Sequence, residues 1–168
     1  YDEATWVLTS YLISNAIVLP ASGWLSRYLG RKPFFMTCIG LFTFASYLCG
    51  SAHSIHFLIL MRVFQGVGGG ALQPLSHSIL MESFPPHQRG SAMAVFGLGV
   101  VFAPTIGPTL GGWITDNFSW PWIFYINLPL GALALFMIHR FVEDPPYIQS
   151  AKPGRIDAIG FALLAVWL

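Results

Sequence analysis

Charge is scarce in this sequence: eight Lys and Arg and seven Asp and Glu make up 9% of its 168 residues. A water-soluble domain carries about 25% charged residues, so there is too little polar surface here to cover a globule in water. Cysteine is nearly absent as well. Cys38 and Cys49 share one apolar run, and on a helix that spacing separates them by roughly 16 Å along the axis, beyond disulfide reach. They read as packing residues. The chain has no CxxC, no HExxH and no nucleophile with a neighbouring base, so catalysis has no support. His53 and His56 supply too few ligands for a metal. Gly66 to Gly70 has no following Lys and is not a phosphate loop. Low-complexity tracts and heptads are also missing, and nucleic acid is not an expected partner.

What abounds is apolar sequence: 55% of residues are hydrophobic and 15% aromatic, with a mean hydropathy of +0.64. Trp6 to Leu25, Phe34 to Ala52, Ser91 to Thr115 and Phe118 to Ile138 are uncharged, and Phe57 to Met81 contains only Arg62. Each run reaches the roughly 20 residues that a helix needs to cross a bilayer. A shorter run, Ala158 to Leu168, ends the chain. The pattern predicts an all-α membrane protein with five complete spans and part of a sixth. It also reads as cut at both ends, since Tyr1 is no initiator Met and Leu168 lies inside an apolar run. Residues 1–142 are expected to form the transmembrane bundle, 143–157 a cytoplasmic linker with three prolines, and 158–168 the start of another helix. The Trp6 run is not a signal peptide, because Asp2 and Glu3 precede it instead of basic residues.

If the helices alternate in direction, the connections fall into two sets. Residues 26–33, 82–90 and 139–157 hold seven of the eight basic residues: Arg27, Arg31, Lys32, Arg89, Arg140, Lys152 and Arg155. Residues 1–5, 53–56 and 116–117 hold none. Basic loops stay cytoplasmic, so the first set faces in and the N-terminal end faces out. Tyr and Trp near the span ends, among them Trp6, Tyr28, Trp113 and Trp120, fit interfacial anchoring. Asn117-Phe118-Ser119 matches a glycosylation sequon but lies too close to the membrane to serve as an acceptor.

Arg62 is the first candidate functional residue. A charge at the membrane centre costs at least ~2.5–3.5 kcal/mol, so it normally faces a cavity or a partner. Snorkelling toward the outer surface is the competing reading. At 100° per residue, Gln65, Gly69, Gln73, Ser76 and His77 share its helix face. This predicts a polar stripe along an aqueous path. No carboxylate lies inside a complete span, and Glu82 ends its helix on the cytoplasmic side. The 91–115 run carries Gly99, Ala103, Gly107 and Gly111 at every fourth position, with Pro104, Pro108 and Gly112 beside them. That spacing predicts a seam for close helix approach, weakened by proline. Gly66, Gly68, Gly69 and Gly70 are similar.

These residues resemble the major facilitator superfamily. GWLSRYLGRK is similar to its G-x-L-x-D-R-x-G-R-K/R hairpin, through Gly23, Leu25, Arg27, Gly30, Arg31 and Lys32, with Ser26 where the family usually has Asp. LILMRVFQGVGGG resembles the fourth-span motif and places Arg62, Gln65 and Gly66. PTIGPTLGG resembles the fifth-span antiporter motif through Gly107, Pro108, Gly111 and Gly112. SWPWIFYINLPLG looks like a segment of the fourteen-span drug:proton antiporter branch, the EmrB/QacA type. On this resemblance the chain covers the second to sixth spans of an N-terminal half.

The resemblance implies a carrier that rocks two helical halves around a midplane site, powered by the proton gradient without a cofactor. Arg62, Gln65, Gln73 and His77 would serve proton coupling or the substrate cavity, with an acid on the first span as partner. Arg27, Arg31 and Lys32 would join cytoplasmic contacts that hold the outward-open state, a latch to which Ser26 contributes no charge. Gly107, Pro108, Gly111 and Gly112 would bias the family toward export. Expected partners are small amphipathic organic compounds, protons and the lipid bilayer of a bacterial plasma membrane. In some relatives a periplasmic adaptor and an outer-membrane channel join them, and no residue here reports on that. Three functions stay open: a proton-coupled drug exporter, a carrier of one metabolite, and a non-transporting scaffold or sensor.

Overall fold

A computed structural model describes residues 2–142; the expected linker at 143–157 and the helix start at 158–168 lie outside them. The described chain is helical throughout: α1 (Asp2–Leu29), α2 (Arg31–Gly50), α3 (Ile55–Gly69), α4 (Leu72–Ser83), α5 (Arg89–Asn117), α6 (Trp122–Tyr125) and α7 (Asn127–Phe141). Taken as five segments, with α3–α4 and α6–α7 each counted as one, they are long and apolar enough to cross a membrane.

The joints follow from local sequence. The link expected over 26–33 contracts to Gly30 alone, at φ 87°, the one positive-φ residue among those described. Glycine adopts this conformation without a Cβ penalty, so α1 runs to Leu29 and α2 begins at Arg31. The Phe57–Met81 run divides at a turn over Gly70 and Ala71. Pro74, in the first turn of α4, has no N–H to continue the preceding helix, and the glycines before it hold helix weakly. Pro129 stands likewise in the first turn of α7, just past the Ile126 joint. Pro104 and Pro108, expected to weaken α5, leave it continuous.

α3 is wedged between α1 and α2, and α7 packs on the opposite side of α2. α1 turns a serine face inward: Ser10, Ser14, Ser22 and Ser26 are buried while Trp6, Leu8, Leu12 and Leu19 are exposed. Each serine hydroxyl donates to a carbonyl three or four residues back, at 2.6–3.4 Å. This suits lipid, where helices meet through small residues and satisfy polar groups internally. Cys38 and Cys49 are buried free thiols, as their spacing predicts. The α5 ladder behaves differently. Among the described residues nothing approaches Gly99, Gly107, Gly111 or Gly112, so this seam has no partner here.

The basic connections gather at one end. Arg31 pairs with Glu82, and Lys32 Nζ donates to His139 O at 2.8 Å. Ser51 Oγ and Tyr125 OH meet at the other end, 3.2 Å apart. We expect His53→Cys to react with an impermeant thiol reagent added outside cells, and His87→Cys only after permeabilisation. The buried native thiols keep the background low. The reverse labelling pattern would invert the topology.

Candidate functional site

Arg62 lies seven residues into α3, about 10 Å from its N-terminal end at 1.5 Å per residue. Its guanidinium reaches back to α1, where Nε donates to Val7 O at 3.1 Å. Nη1 donates to Gln65 Oε1 at 2.8 Å. The charge also lies over the Tyr11 ring, 4.4 Å from its centroid, and 5.8 Å from that of Phe124. Both distances fall within the roughly 6 Å over which a ring face attracts a cation. Among the described residues no carboxylate pairs with Arg62, and carbonyl, amide and aromatic groups stabilise the cation.

The contacts continue inward. Gln65 is 2% exposed, and its Nε2 donates to Ser46 Oγ on α2 at 2.5 Å. Asn127 Nδ2, at the start of α7, donates to the same oxygen at 3.4 Å. Cys49 Sγ reaches Gln65 Oε1 at 3.9 Å. Among the described residues no buried side-chain polar atom lacks a partner. A chain of polar groups thus joins α1, α3, α2 and α7 inside an apolar bundle, and it resists loss of any member because bare polar groups are costly there.

Of the expected stripe, Arg62 and Gln65 meet directly. Gln73 and His77 lie beyond the turn at Gly70–Ala71 and are exposed on α4. The His77 ring meets Phe96 of α5 edge-on, 6.4 Å between centroids. Tyr11 and Ser46 join the site without having been singled out from sequence, and Phe124 and Asn127 join it from the SWPWIFYINLPLG segment, which was given no site role. Polar residues inside apolar runs are the signal that Ser46 and Asn127 carried; nothing local marks Tyr11.

At the end that carries the basic connections, Ser26 Oγ donates to Gly23 O at 3.0 Å, as does Arg27 Nε at 3.2 Å. A cleft of about 330 Å³ opens between α1 and α4, lined by Ser22, Ser26, Arg27, Arg31 and Ser78 among others. Arg31 and Lys32 engage α4 and α7 of this same bundle. Gly107, Pro108 and Gly112 lie on exposed α5 surface, and Gly111 is half-buried.

The profile of the Major Facilitator Superfamily matches residues 1–167. Multidrug export protein EmrB of Haemophilus influenzae is 40% identical over 166 residues, 99% of this chain and 32% of that protein. EmrB of Escherichia coli K12 is 40% identical over 165 residues, 98% of this chain and 32% of its own length. The chain therefore spans about a third of the length of these curated relatives. The inward-open xylose transporter XylE of E. coli superposes with a TM-score of 0.70 at 18% identity, covering 85% of this chain and 38% of the other. At that identity the likeness speaks to the fold. Together with five membrane-length segments, the profile match shows that this chain is part of a multi-pass membrane protein and belongs to the Major Facilitator Superfamily.

Proposed function

We propose that the protein exports amphipathic organic compounds from bacterial cells in exchange for protons, by alternating access across the plasma membrane. One observation carries the reading: a chain 40% identical to multidrug export proteins holds an arginine within its apolar helices, hydrogen-bonded and with no acidic partner among the described residues. A fixed cation near the transport path raises the affinity of a nearby carboxylate for its charged form, and so sets when that carboxylate takes or releases a proton. The carboxylate belongs outside the apolar runs described above. Substrate and proton then compete for a site that opens to each side in turn. The joints at Gly70–Ala71 and Ile126 interrupt two of the five spans and are places where such a bundle bends without breaking a continuous helix.

The test is dye efflux from energised membrane vesicles holding the complete polypeptide that carries residues 1–168. Extrusion of a lipophilic fluorescent dye is expected to begin when a pH gradient is imposed and to stop when an uncoupler collapses it. Extrusion indifferent to the gradient, or none for any amphipathic dye, would overturn the proposal.

A further inference from the structure

The donor and acceptor chemistry of the Arg62 chain fixes its direction. Arginine has only donors, so Gln65 must turn its oxygen to the guanidinium. The Gln65 nitrogen then needs an acceptor, and in this buried position it finds Ser46 Oγ. Ser46, wholly buried, accepts from Asn127 as well. Asn127 is the first residue of α7 and lies next to the Ile126 joint that separates it from α6. Phe124, on α6, faces the same guanidinium.

We propose that Ser46 and Asn127 are positioning residues for Arg62, tying the placement of its charge to the α6–α7 joint. The inference rests on the coupling role proposed for Arg62. Ser46 touches neither the guanidinium nor any part of the cleft between α1 and α4. It acts by holding Gln65 in the one orientation that presents an acceptor to Arg62. Asn127 carries any displacement of the α6–α7 joint to the same oxygen. A hydroxyl at position 46 is the requirement, not serine as such, so threonine serves in its place if its methyl is accommodated.

The experiment compares Ser46→Ala, Asn127→Ala, Ser46→Thr and Arg62→Ala in the complete polypeptide, reconstituted into liposomes with an imposed pH gradient. Gradient-driven dye efflux is measured across pH, alongside dye binding at equilibrium. Ser46→Ala and Asn127→Ala are expected to slow driven efflux at least about fivefold and to displace its pH profile. Dye affinity stays within about twofold. Ser46→Thr restores both rate and profile, and Ser46→Ala adds no further loss to Arg62→Ala. An unmoved pH profile, or losses that multiply on the Arg62→Ala background, would overturn the positioning role. If Ser46→Ala fails to reach the membrane, Asn127→Ala decides by the same outcomes. Wild-type efflux from Arg62→Ala would instead remove the coupling role, and with it this inference.

Discussion

Gly68→Val is expected to leave almost no folded protein in the membrane. A Cβ at position 68 would lie 2.7 Å from Phe42 N, 2.8 Å from Cys38 O and 3.1 Å from Phe42 Cα. All three are backbone atoms of α2, so no rotamer change relieves the clash. Overpacking costs typically about 1–3 kcal/mol where side chains give way. Here two helices must part, and α3 also packs on α1 through Gly66 and Gly70. We expect a loss at or above the top of that range, against total stabilities of roughly 5–15 kcal/mol. Gly40→Val is the control, because nothing approaches within 4 Å of a Cβ there. Fluorescence-detected gel filtration of detergent extracts reads both variants. A monodisperse Gly68→Val peak at wild-type height and melting temperature would refute the packing assignment.

The second large effect falls on transport. Arg62→Lys keeps the charge but is expected to lower gradient-driven efflux at least about tenfold, close to the loss from Arg62→Ala. Two donors act at once in the native site, Nε to Val7 O and Nη1 to Gln65 Oε1, and they diverge from one planar group. An ammonium is a compact point donor at the end of a flexible stem and cannot reproduce that fork. A charge-assisted hydrogen bond is worth ~1.5–3 kcal/mol, and each 1.36 kcal/mol at the transition state is a factor of ten in rate. Losing one such bond therefore accounts for the expected fall. Efflux by Arg62→Lys at the wild-type rate, with Arg62→Ala inactive, would show that charge alone matters and geometry does not. The thermal stability of each variant separates lost transport from lost fold.

Membrane-length segments are legible in the sequence because burial in lipid demands long apolar runs, and the five runs recur as the five structural segments. The one-residue link at Gly30 and the division at Gly70–Ala71 are less legible. Both depend on local backbone chemistry that an uninterrupted apolar run conceals. The polar face on the third apolar run shows the limit most clearly. A helical wheel aligns Arg62 with Gln73 and His77, yet only Gln65 of that face touches Arg62, and Gln73 and His77 are exposed on α4. The seam on α5 is plain in the spacing of its glycines, but what covers it is not, since helix partners are chosen by distant sequence.

The order of apolar and basic segments alone gave the class of protein, the five membrane-length segments of the described residues and the grouping of the basic turns at one end. Those properties follow from transferring individual side chains between water and hydrocarbon, a local quantity that any stretch of chain carries with it. Packing alone decided which groups receive the Arg62 guanidinium: a carbonyl of α1, an amide of its own helix, and through it a hydroxyl of α2 and an amide of α7. Hydrogen bonds need two partners within about 3 Å, and residues 7, 46 and 127 meet that condition only once the helices have come together.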